Sequence, residues 1–268
     1  MEFAFDHLVH FVNDPKRAAQ LMRESGLHAV EGGRHTQWGS YNSLCYFDLS
    51  YIEFLGLDNP GLAKQVADND LIRQATRELP AREGLARIAI RTGNIDEAAE
   101  RIRVLGFRVT GPFPGSRTRD DGTVINWSMF FIRDEGSELP LPFVIQWGQS
   151  DQERRKDLEQ RGVIRAHRLG QISLNQVAFA VRDLERTVQT WGRLFELEQG
   201  EAFFDPTMNA ECRILKLRGG DLLFCRPVGE GVVSQVLHAA GERPFLVQLT
   251  GAANSQTLNL FGGMYQCT

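Results

Sequence analysis

The stretch that decides the fold lies near the start of the chain and runs Phe5-Asp6-His7-Leu8-Val9-His10-Phe11-Val12-Asn13-Asp14-Pro15. Aromatic and β-branched residues up to position 12 favour a strand. Asp14 can then accept hydrogen bonds from free backbone N–H groups, and Pro15 suits a first helical position because its missing N–H needs no partner there. Strand side chains alternate between two faces, so His7 and His10 lie on opposite faces. The stretch predicts a strand that leads directly into a helix.

The same arrangement of strand and helix cap occurs three times. The caps are Asp14, Asn94 and Asp183, and the residues seven positions before them are His7, Arg87 and Gln176. Extended stretches follow each helix, which gives a repeated unit of one strand, one helix and three strands. Such a unit exposes a sheet face that it cannot cover alone, so units must pair. The sequence predicts an α+β fold of tandem βαβββ modules, with two cup-shaped mixed sheets, outer helices and a truncated fourth module.

The repeat also predicts where the two halves of the chain begin and end. We expect a first module pair at 1–148, with modules at 1–58 and 84–148, a linker at 149–171, and a second, incomplete pair at 172–268. Within the linker, Asp151 to Gln160 is predicted to be an exposed helix because it has almost no apolar face. Residues 36–47 are predicted to be one extended stretch. Residues 111–122 are predicted to be a loop, since turn-forming residues are dense there.

Composition predicts an ordinary soluble protein. The chain has 268 residues, of which 42% are hydrophobic and 24% charged, and its net charge is −4. A negative net charge argues against nucleic acid as a partner, and no window is apolar enough to span a membrane. The four cysteines form no C-x-x-C pair, and no signal peptide is recognised. We therefore expect reduced thiols and a cytoplasmic location.

The sequence lacks the motifs of several common kinds of catalytic site. It contains no G-x-S-x-G elbow, no H-E-x-x-H motif, no P-loop and no G-x-G-x-x-G fingerprint. A nucleophilic hydrolase or a nucleotide-dependent enzyme is therefore not expected.

The repeat resembles that of the vicinal oxygen chelate superfamily, which includes glyoxalase I, bleomycin-resistance proteins and extradiol dioxygenases. The resemblance rests on the run from His7 to Asp14, on Tyr51-Ile52-Glu53-Phe54 and on Trp191-Gly192-Arg193-Leu194-Phe195-Glu196-Leu197. A closer resemblance, to the bacterial glyoxalase-like domain family, rests on Phe5-Asp6-His7-Leu8-Val9, on Pro114-Gly115-Ser116-Arg117-Thr118-Arg119 with Gly122-Thr123, and on Leu141-Pro142-Phe143-Val144-Ile145-Gln146-Trp147.

This resemblance implies a divalent metal (Zn, Ni, Mn or Fe) inside the first curved sheet. The implied ligands are His7, Glu53 and Gln146, and the first two match the superfamily pattern. Arg87 stands where another ligand is expected, but a guanidinium has no lone pair to give. Gln146 stands where relatives more often carry an acid. The ligand set is short of the three good ligands that a catalytic zinc usually has, and a satisfied His7–Glu53 pair without metal is the alternative.

Two functions follow from these residues. The first is a metal-dependent lyase, isomerase or dioxygenase that acts on a small oxygen-rich substrate, with Glu53 and Arg87 as catalytic residues. The second is a metal-free protein that binds a small anionic or aromatic ligand, as bleomycin-resistance proteins do. In that case Arg87 anchors the acid group and Arg117 or Arg119 lies at the mouth. The expected cup-lining residues are Trp38, Tyr41, Trp127 and Phe130. The chain is expected to be a monomer or a homodimer.

Overall fold

The computed structural model describes residues 2–118 and 122–268. The helices are α1 (Pro15–Glu24), α2 (Pro60–Ala63), α3 (Asp70–Glu78), α4 (Ile95–Val104), α5 (Asp151–Gln160), α6 (Leu184–Phe195) and α7 (Val232–Ala240). The strands are β1 (Phe3–Phe11), β2 (Val30–His35), β3 (Ser40–Phe47), β4 (Ser50–Leu57), β5 (Gly84–Thr92), β6 (Arg108–Thr118), β7 (Val124–Arg133), β8 (Phe143–Trp147), β9 (Gly170–Ala180), β10 (Glu198–Gln199), β11 (Phe203–Asp205), β12 (Ala210–Lys216), β13 (Asp221–Pro227), β14 (Arg243–Ala252), β15 (Gln256–Leu260) and β16 (Gly263–Cys267). None of the described helices is long and apolar enough to cross a membrane.

The strands form two mixed sheets of eight strands each. The first has the order β2-β3-β4-β1-β5-β8-β7-β6, and the second has the order β10-β12-β13-β9-β14-β16-β15 with β11 paired to β12. β1 runs parallel to β4 and antiparallel to β5, and β9 repeats this arrangement with β13 and β14. The predicted α+β fold of tandem modules is confirmed. The fourth module consists of β14, β15 and β16 and, within the described residues, has no helix of its own.

The three predicted helix caps are present. The side chains of Asp14, Asn94 and Asp183 each accept hydrogen bonds from backbone N–H groups in the first turns of α1, α4 and α6. These N–H groups have no partner inside the helix, so the caps stabilise the helix starts. The residues seven positions before the caps therefore occupy equivalent places in three modules.

The prediction for residues 36–47 was wrong in one respect. Residues 36–39 form a turn between two strands, and the first of these strands, β2, lies before it. β2 contains Gly32 and Gly33. Because glycine is depleted in strands, the sequence pattern does not predict a strand there.

The prediction of a loop at residues 111–122 was also wrong. Most of this segment belongs to β6, which is the edge strand of the first sheet. Pro112 and Pro114 cannot donate to a neighbouring strand, but an edge strand has one side without a neighbour. The turn-forming composition therefore marks an edge strand in this case.

The two sheets pack through their outer faces, where α1, α4 and α6 contribute to one large core. His10 of β1 joins the two halves there. Its Nδ1 lies 2.5 Å from the hydroxyl of Tyr265 in β16, and its Nε2 lies 2.9 Å from the carbonyl oxygen of Phe261. Burial lowers the pKa of His10 to about 4, with the Phe261 hydrogen bond opposing the shift. His10 is therefore neutral at pH 7.

Candidate functional site

The concave face of the first sheet contains a cavity of about 900 Å³. Trp38, Trp127 and Trp147 line it, and the centroid of the Trp127 ring lies 6.3 Å from that of Trp38 and 5.8 Å from that of Trp147. The polar side chains that line it include those of His7, His35, Asn42, Glu53, Arg117 and Arg154. A cavity of this size that combines aromatic walls with convergent polar groups is typical of a small-molecule site.

His7 has a carboxylate beside each of its ring nitrogens. Its Nδ1 lies 2.7 Å from Oδ1 of Asp6, and its Nε2 lies 3.5 Å from Oε2 of Glu53. The ring stacks on Tyr51, with the centroids 4.6 Å apart. These contacts fix the orientation of the imidazole in the cavity.

A β-bulge brings Asp6 to the same face of β1 as His7. The register of β1 against β5 shifts between Phe5 and His7, so Asp6 is an extra residue in the strand. Regular alternation would place Asp6 and His7 on opposite faces. The bulge is therefore what allows the Asp6 carboxylate to reach the ring.

Asp6 is fully buried and accepts hydrogen bonds from three side chains. Besides His7, they are Trp147, whose Nε1 is at 2.9 Å, and Arg154, whose Nη1 is at 3.4 Å. Burial opposes ionisation of Asp6, but Arg154 and His7 outweigh it and lower its pKa to about 2. Since Asp6 is then a carboxylate at neutral pH, Nδ1 of His7 carries the proton between them.

Glu53 is held from its other side by Asn42. Nδ2 of Asn42 donates to Oε1 of Glu53 at 2.5 Å, while Oδ1 of Asn42 accepts from the backbone N–H of Gly33 and faces Nη1 of Arg117 at 3.5 Å. A Cβ atom on Gly32 would lie only 1.9 Å from Oδ1 of Asn42. The glycines of β2 thus leave room for the side chains that connect Glu53 to Arg117.

His35 adds a neutral polar group to the cavity wall. Its Nδ1 lies 3.1 Å from Oγ of Ser40. Burial lowers the pKa of His35, and Arg117 adds to this effect while Glu53 opposes it. His35 is therefore uncharged at neutral pH and can exchange hydrogen bonds with a ligand.

The linker helix α5 has the predicted bounds and leaves most of its residues at least partly exposed, but one of its faces covers one side of the cavity, which the prediction of an exposed helix missed. Arg154 and Leu158 are buried, and the guanidinium carbon of Arg154 lies 4.2 Å from the centroid of the Trp147 ring. Arg155, on the outside, forms an ion pair with Asp48. Arginine packs its apolar stem and its flat cation against aromatic rings. A search for an apolar face along the helix does not detect a helix that is buried through an arginine.

The predicted metal ligand Gln146 lies on the outer face of the first sheet. Its neighbour Trp147 lines the cavity, and alternation along β8 turns Gln146 away. Oε1 of Gln146 accepts a hydrogen bond at 2.7 Å from the backbone N–H of Ile95, the first residue of α4. By strand register, Phe143 occupies the place in β8 that Glu53 has in β4. The assignment of Gln146 as a ligand was therefore wrong.

Arg87 lies on the concave side, but on the part that α3 covers. Its Nε donates to the carbonyl oxygen of Leu141 at 2.6 Å, and its guanidinium carbon lies 5.4 Å from the centroid of the Phe131 ring. Burial lowers the pKa of Arg87 to about 10, with Asp70 opposing the shift. Arg87 is not among the described residues that line the cavity. The predicted catalytic and anchoring roles of Arg87 were wrong, because α2 and α3 fill its end of the cup.

Most of the other predicted binding residues do meet at the cavity. Those that line it are Trp38, Tyr41, Arg117 and Trp127. Arg119 lies outside the described residues. Phe130 packs into the outer core instead, while its neighbour Met129 lines the cavity.

The side chains present do not make a three-ligand site for the divalent metal that the resemblance implies. His7 offers only Nε2, since its Nδ1 is bound to Asp6, and Glu53 is shared with Asn42. Over residues 2–118 and 122–268, no three His, Cys, Asp or Glu side chains converge as a metal site. A catalytic zinc usually has three protein ligands, so this donor set does not fit one.

The sequence does not reveal three polar residues that lie in the cavity wall or directly beneath it. Asp6 depends on a bulge that strand alternation cannot predict, and Arg154 lies in a segment without apolar periodicity. Asn42 carries a signal that a pattern could detect, because it alternates with Leu44 and Tyr46 along β3, and all three line the cavity.

Solved structures that share the fold include one from Staphylococcus aureus and one from Streptomyces coelicolor. A hypothetical protein from Staphylococcus aureus is 21% identical, with a TM-score of 0.81 and 99% of each chain covered. A mutant of 4-hydroxymandelate synthase from Streptomyces coelicolor is 11% identical, with a TM-score of 0.58 over 93% of this chain and 71% of that chain. At such identities these similarities establish the fold alone. No curated protein matches the sequence.

The family is established by the sequence itself. Residues 5–195 match the family model described as a glyoxalase-like domain. The match begins in β1 and continues past the linker to the end of α6, so it includes the whole cavity wall and the first strand and helix of the third module. Because it covers well over half of the sequence, the chain belongs to the glyoxalase-like domain family.

Proposed function

We propose that the protein binds a small planar molecule in the cavity of the first sheet and catalyses a proton transfer on it, as a lyase or an isomerase does. The observation that carries this proposal is the contact between His7 and Glu53, whose Nε2 and Oε2 atoms lie 3.5 Å apart. His7 is 3% exposed and Glu53 7% exposed, yet both line the cavity. Acid–base groups held in a shielded cavity are suited to proton transfer.

Each polar group has a distinct role in this reaction. Glu53 accepts the proton from a carbon next to a carbonyl group of the substrate, and Nε2 of His7 exchanges that proton with Glu53. Asp6 holds the Nδ1–H of His7 and so keeps Nε2 directed at Glu53. Arg117 places a positive charge near the oxygen on which negative charge develops. Asn42 contacts both Glu53 and Arg117 and so holds their side chains in fixed positions relative to each other.

The donor set supports acid–base chemistry better than the dioxygenase reaction that the sequence left open. Dioxygenases of the facial-triad type hold iron with two histidines and one carboxylate. Here His7 and Glu53 supply one of each, Gln146 faces the other side of the sheet, and the described residues contain no group of three His, Cys, Asp or Glu side chains that could hold a metal.

Binding without chemistry is a second candidate, and the aromatic walls favour it. Three tryptophan rings in a row, with neighbouring centroids 6.3 and 5.8 Å apart, form a surface on which a flat ligand can stack. Binding and turnover are therefore measured separately.

The test of turnover is hydrogen–deuterium exchange in D₂O. The protein is incubated with 2-oxo acids and aryl ketones, and loss of the proton signal beside the carbonyl is followed by NMR. We expect wild type to accelerate the exchange, and Glu53→Gln and His7→Gln to slow it roughly 100-fold or more. His238→Gln, at an exposed position of α7, is the matched control and should have no effect. If ligands quench tryptophan emission but exchange proceeds as without protein, sequestration replaces catalysis as the function.

A further inference from the structure

Arg154 is a cavity residue that the linker helix supplies. It is 4% exposed, and its guanidinium carbon lies 4.2 Å from the ring centroid of Trp147 and 5.7 Å from that of Tyr51. A guanidinium that stacks on rings keeps its N–H groups free to donate in its own plane. The position of Arg154 is therefore suited to bind an acceptor at the edge of the aromatic wall.

The donors of Arg154 are not all used within the protein. Nη1 faces Oδ2 of Asp6 at 3.4 Å, and the Tyr46 ring lies beside the guanidinium. Nη2 is buried and has no hydrogen-bond partner among the described residues. Buried polar groups almost always have a partner, and leaving a donor of a charged group unpaired is costly. Nη2 is therefore a donor that an acceptor from outside the chain can satisfy.

The charge of Arg154 is only partly balanced. Asp6 is its nearest carboxylate, but Asp6 also accepts from His7 and Trp147. Burial opposes the charged form of Arg154, but Asp6 and the nearby tyrosines outweigh it and raise its pKa. The other basic side chains of the cavity wall outnumber its carboxylates, since Lys16, Arg34, Arg117 and Arg161 line it together with Glu31 and Glu53. The cavity is therefore able to accept an anionic group.

From these observations we infer that the ligand is a small aryl-substituted carboxylic acid and that Arg154 binds its carboxylate through Nη2. Asp6 contacts both His7, at 2.7 Å, and Arg154, at 3.4 Å, so these two side chains share one carboxylate. A ligand only a few atoms long can then place its acid group at Arg154 and the next carbon toward Glu53. Its aryl group stacks against Trp127. This assignment rests on the proposed function and names the substrate class of that site.

The test compares an acid with its neutral isostere by isothermal titration calorimetry. The probes are phenylacetate and phenylacetamide. We expect wild type to bind the acid at least tenfold more tightly, Arg154→Gln to lose this preference, and Arg154→Lys to keep part of it, since lysine retains the charge without the planar fork. Arg155→Gln is the matched control, because Arg155 lies on the same helix but pairs with Asp48 at the surface.

The outcomes separate this inference from the proposed function. Equal affinity of wild type for acid and amide would overturn the role of Arg154 and leave ligand binding in the cavity intact. This comparison needs no variant, so a loss of folding in Arg154→Gln cannot obscure it. Failure of both probes to bind, with tryptophan emission also unchanged by 2-oxo acids and aryl ketones, would overturn the proposed function and the inference with it.

Discussion

The two sheets share one backbone plan and differ in what occupies the cup. In the first sheet, α2 and α3 cover part of the concave face and leave a cavity of about 900 Å³. In the second sheet, α7 packs Val233 and Leu237 against Leu223 and Leu246. The connection between modules therefore decides whether a paired sheet becomes a binding site or a packed core.

The bulge that places Asp6 has a counterpart in the second sheet. β9 shifts register against β14 at the corresponding place, so Asn175 and Gln176 repeat the backbone of the first sheet. Here, however, Asn175 is exposed and Gln176 donates to Gln248. By strand register, Leu223 takes the place of the glutamate. The bulge is thus a property of the fold, and the chemistry depends on the side chains and on the helix that covers them.

The largest expected difference between the cups is in the stability that is lost when a leucine side chain is truncated to alanine. Leu223→Ala empties a packed core and should lower the free energy of unfolding by about 2–5 kcal/mol. Leu44→Ala lies on the cavity wall of the first sheet, where no new void is sealed off, so its cost should be about 2 kcal/mol or less. Urea denaturation of both variants measures this difference. Equal costs would mean that the first cup is as tightly packed as the second.

The junction between the cups should be sensitive to acid through His10. Its folded pKa of about 4 is below the unfolded value of about 6.5, so its contribution to stability is complete above pH 6.5 and is lost as the pH falls from 6.5 through 4. The full loss is about 3 kcal/mol. Urea denaturation at pH 7.5 and 4.5 should show a smaller drop in His10→Gln than in wild type, while the exposed His238→Gln should match wild type. An unchanged drop in His10→Gln would contradict the assignment.

Asp6 should matter for activity, although it lies beneath the ring of His7. In Asp6→Asn the amide can donate to Nδ1 of His7, which favours the wrong tautomer, and we expect the deuterium exchange to slow about 10- to 100-fold. Asp48→Asn, at the exposed ion pair with Arg155, serves as the control. The second sheet already has an asparagine, Asn175, at the corresponding bulge. If Asp6→Asn catalysed deuterium exchange as fast as wild type, a carboxylate at the first bulge would have no role that an amide cannot fill.

The smallest expected effect concerns Gln146. Gln146→Glu should leave the affinity for zinc, nickel, manganese and iron unchanged, because the side chain faces the start of α4 and not the cavity. A carboxylate there should stabilise the helix by about 0.3–1 kcal/mol. Metal analysis after dialysis, together with urea denaturation, measures both. Gain of one tightly bound metal per chain would place Gln146 on the concave face and contradict the register described above.

The sequence predicts the fold well because its signals are local. The caps at Asp14, Asn94 and Asp183 lie next to the strands and helices that they join, and all three are present in the structure. The edge strand β6 and the glycine strand β2 are the exceptions, since composition there favours turns. Which strand lies at the edge is a property of the whole sheet, and no local pattern encodes it.

The site was only partly predictable. His7 and Glu53 match the superfamily pattern that the sequence resembles, whereas Asp6 needs a bulge and Arg154 needs the docking of a helix without an apolar face. Arg87 shows the limit most clearly. It lies at the repeat position of His7, but α3 covers it, and such long-range packing cannot be inferred from spacing along the chain.

The most direct test of the central claim is an NMR titration of the four indole N–H signals with phenylacetate. Trp38, Trp127 and Trp147 line the cavity of the first sheet, whereas Trp191 is buried in the core beside Phe179 and Phe224. If the first cup is the ligand site, the three cavity signals shift in a saturable manner and the Trp191 signal stays in place. A saturable shift of Trp191 alone, with the cavity signals unchanged, would place the site in the second half and contradict the account.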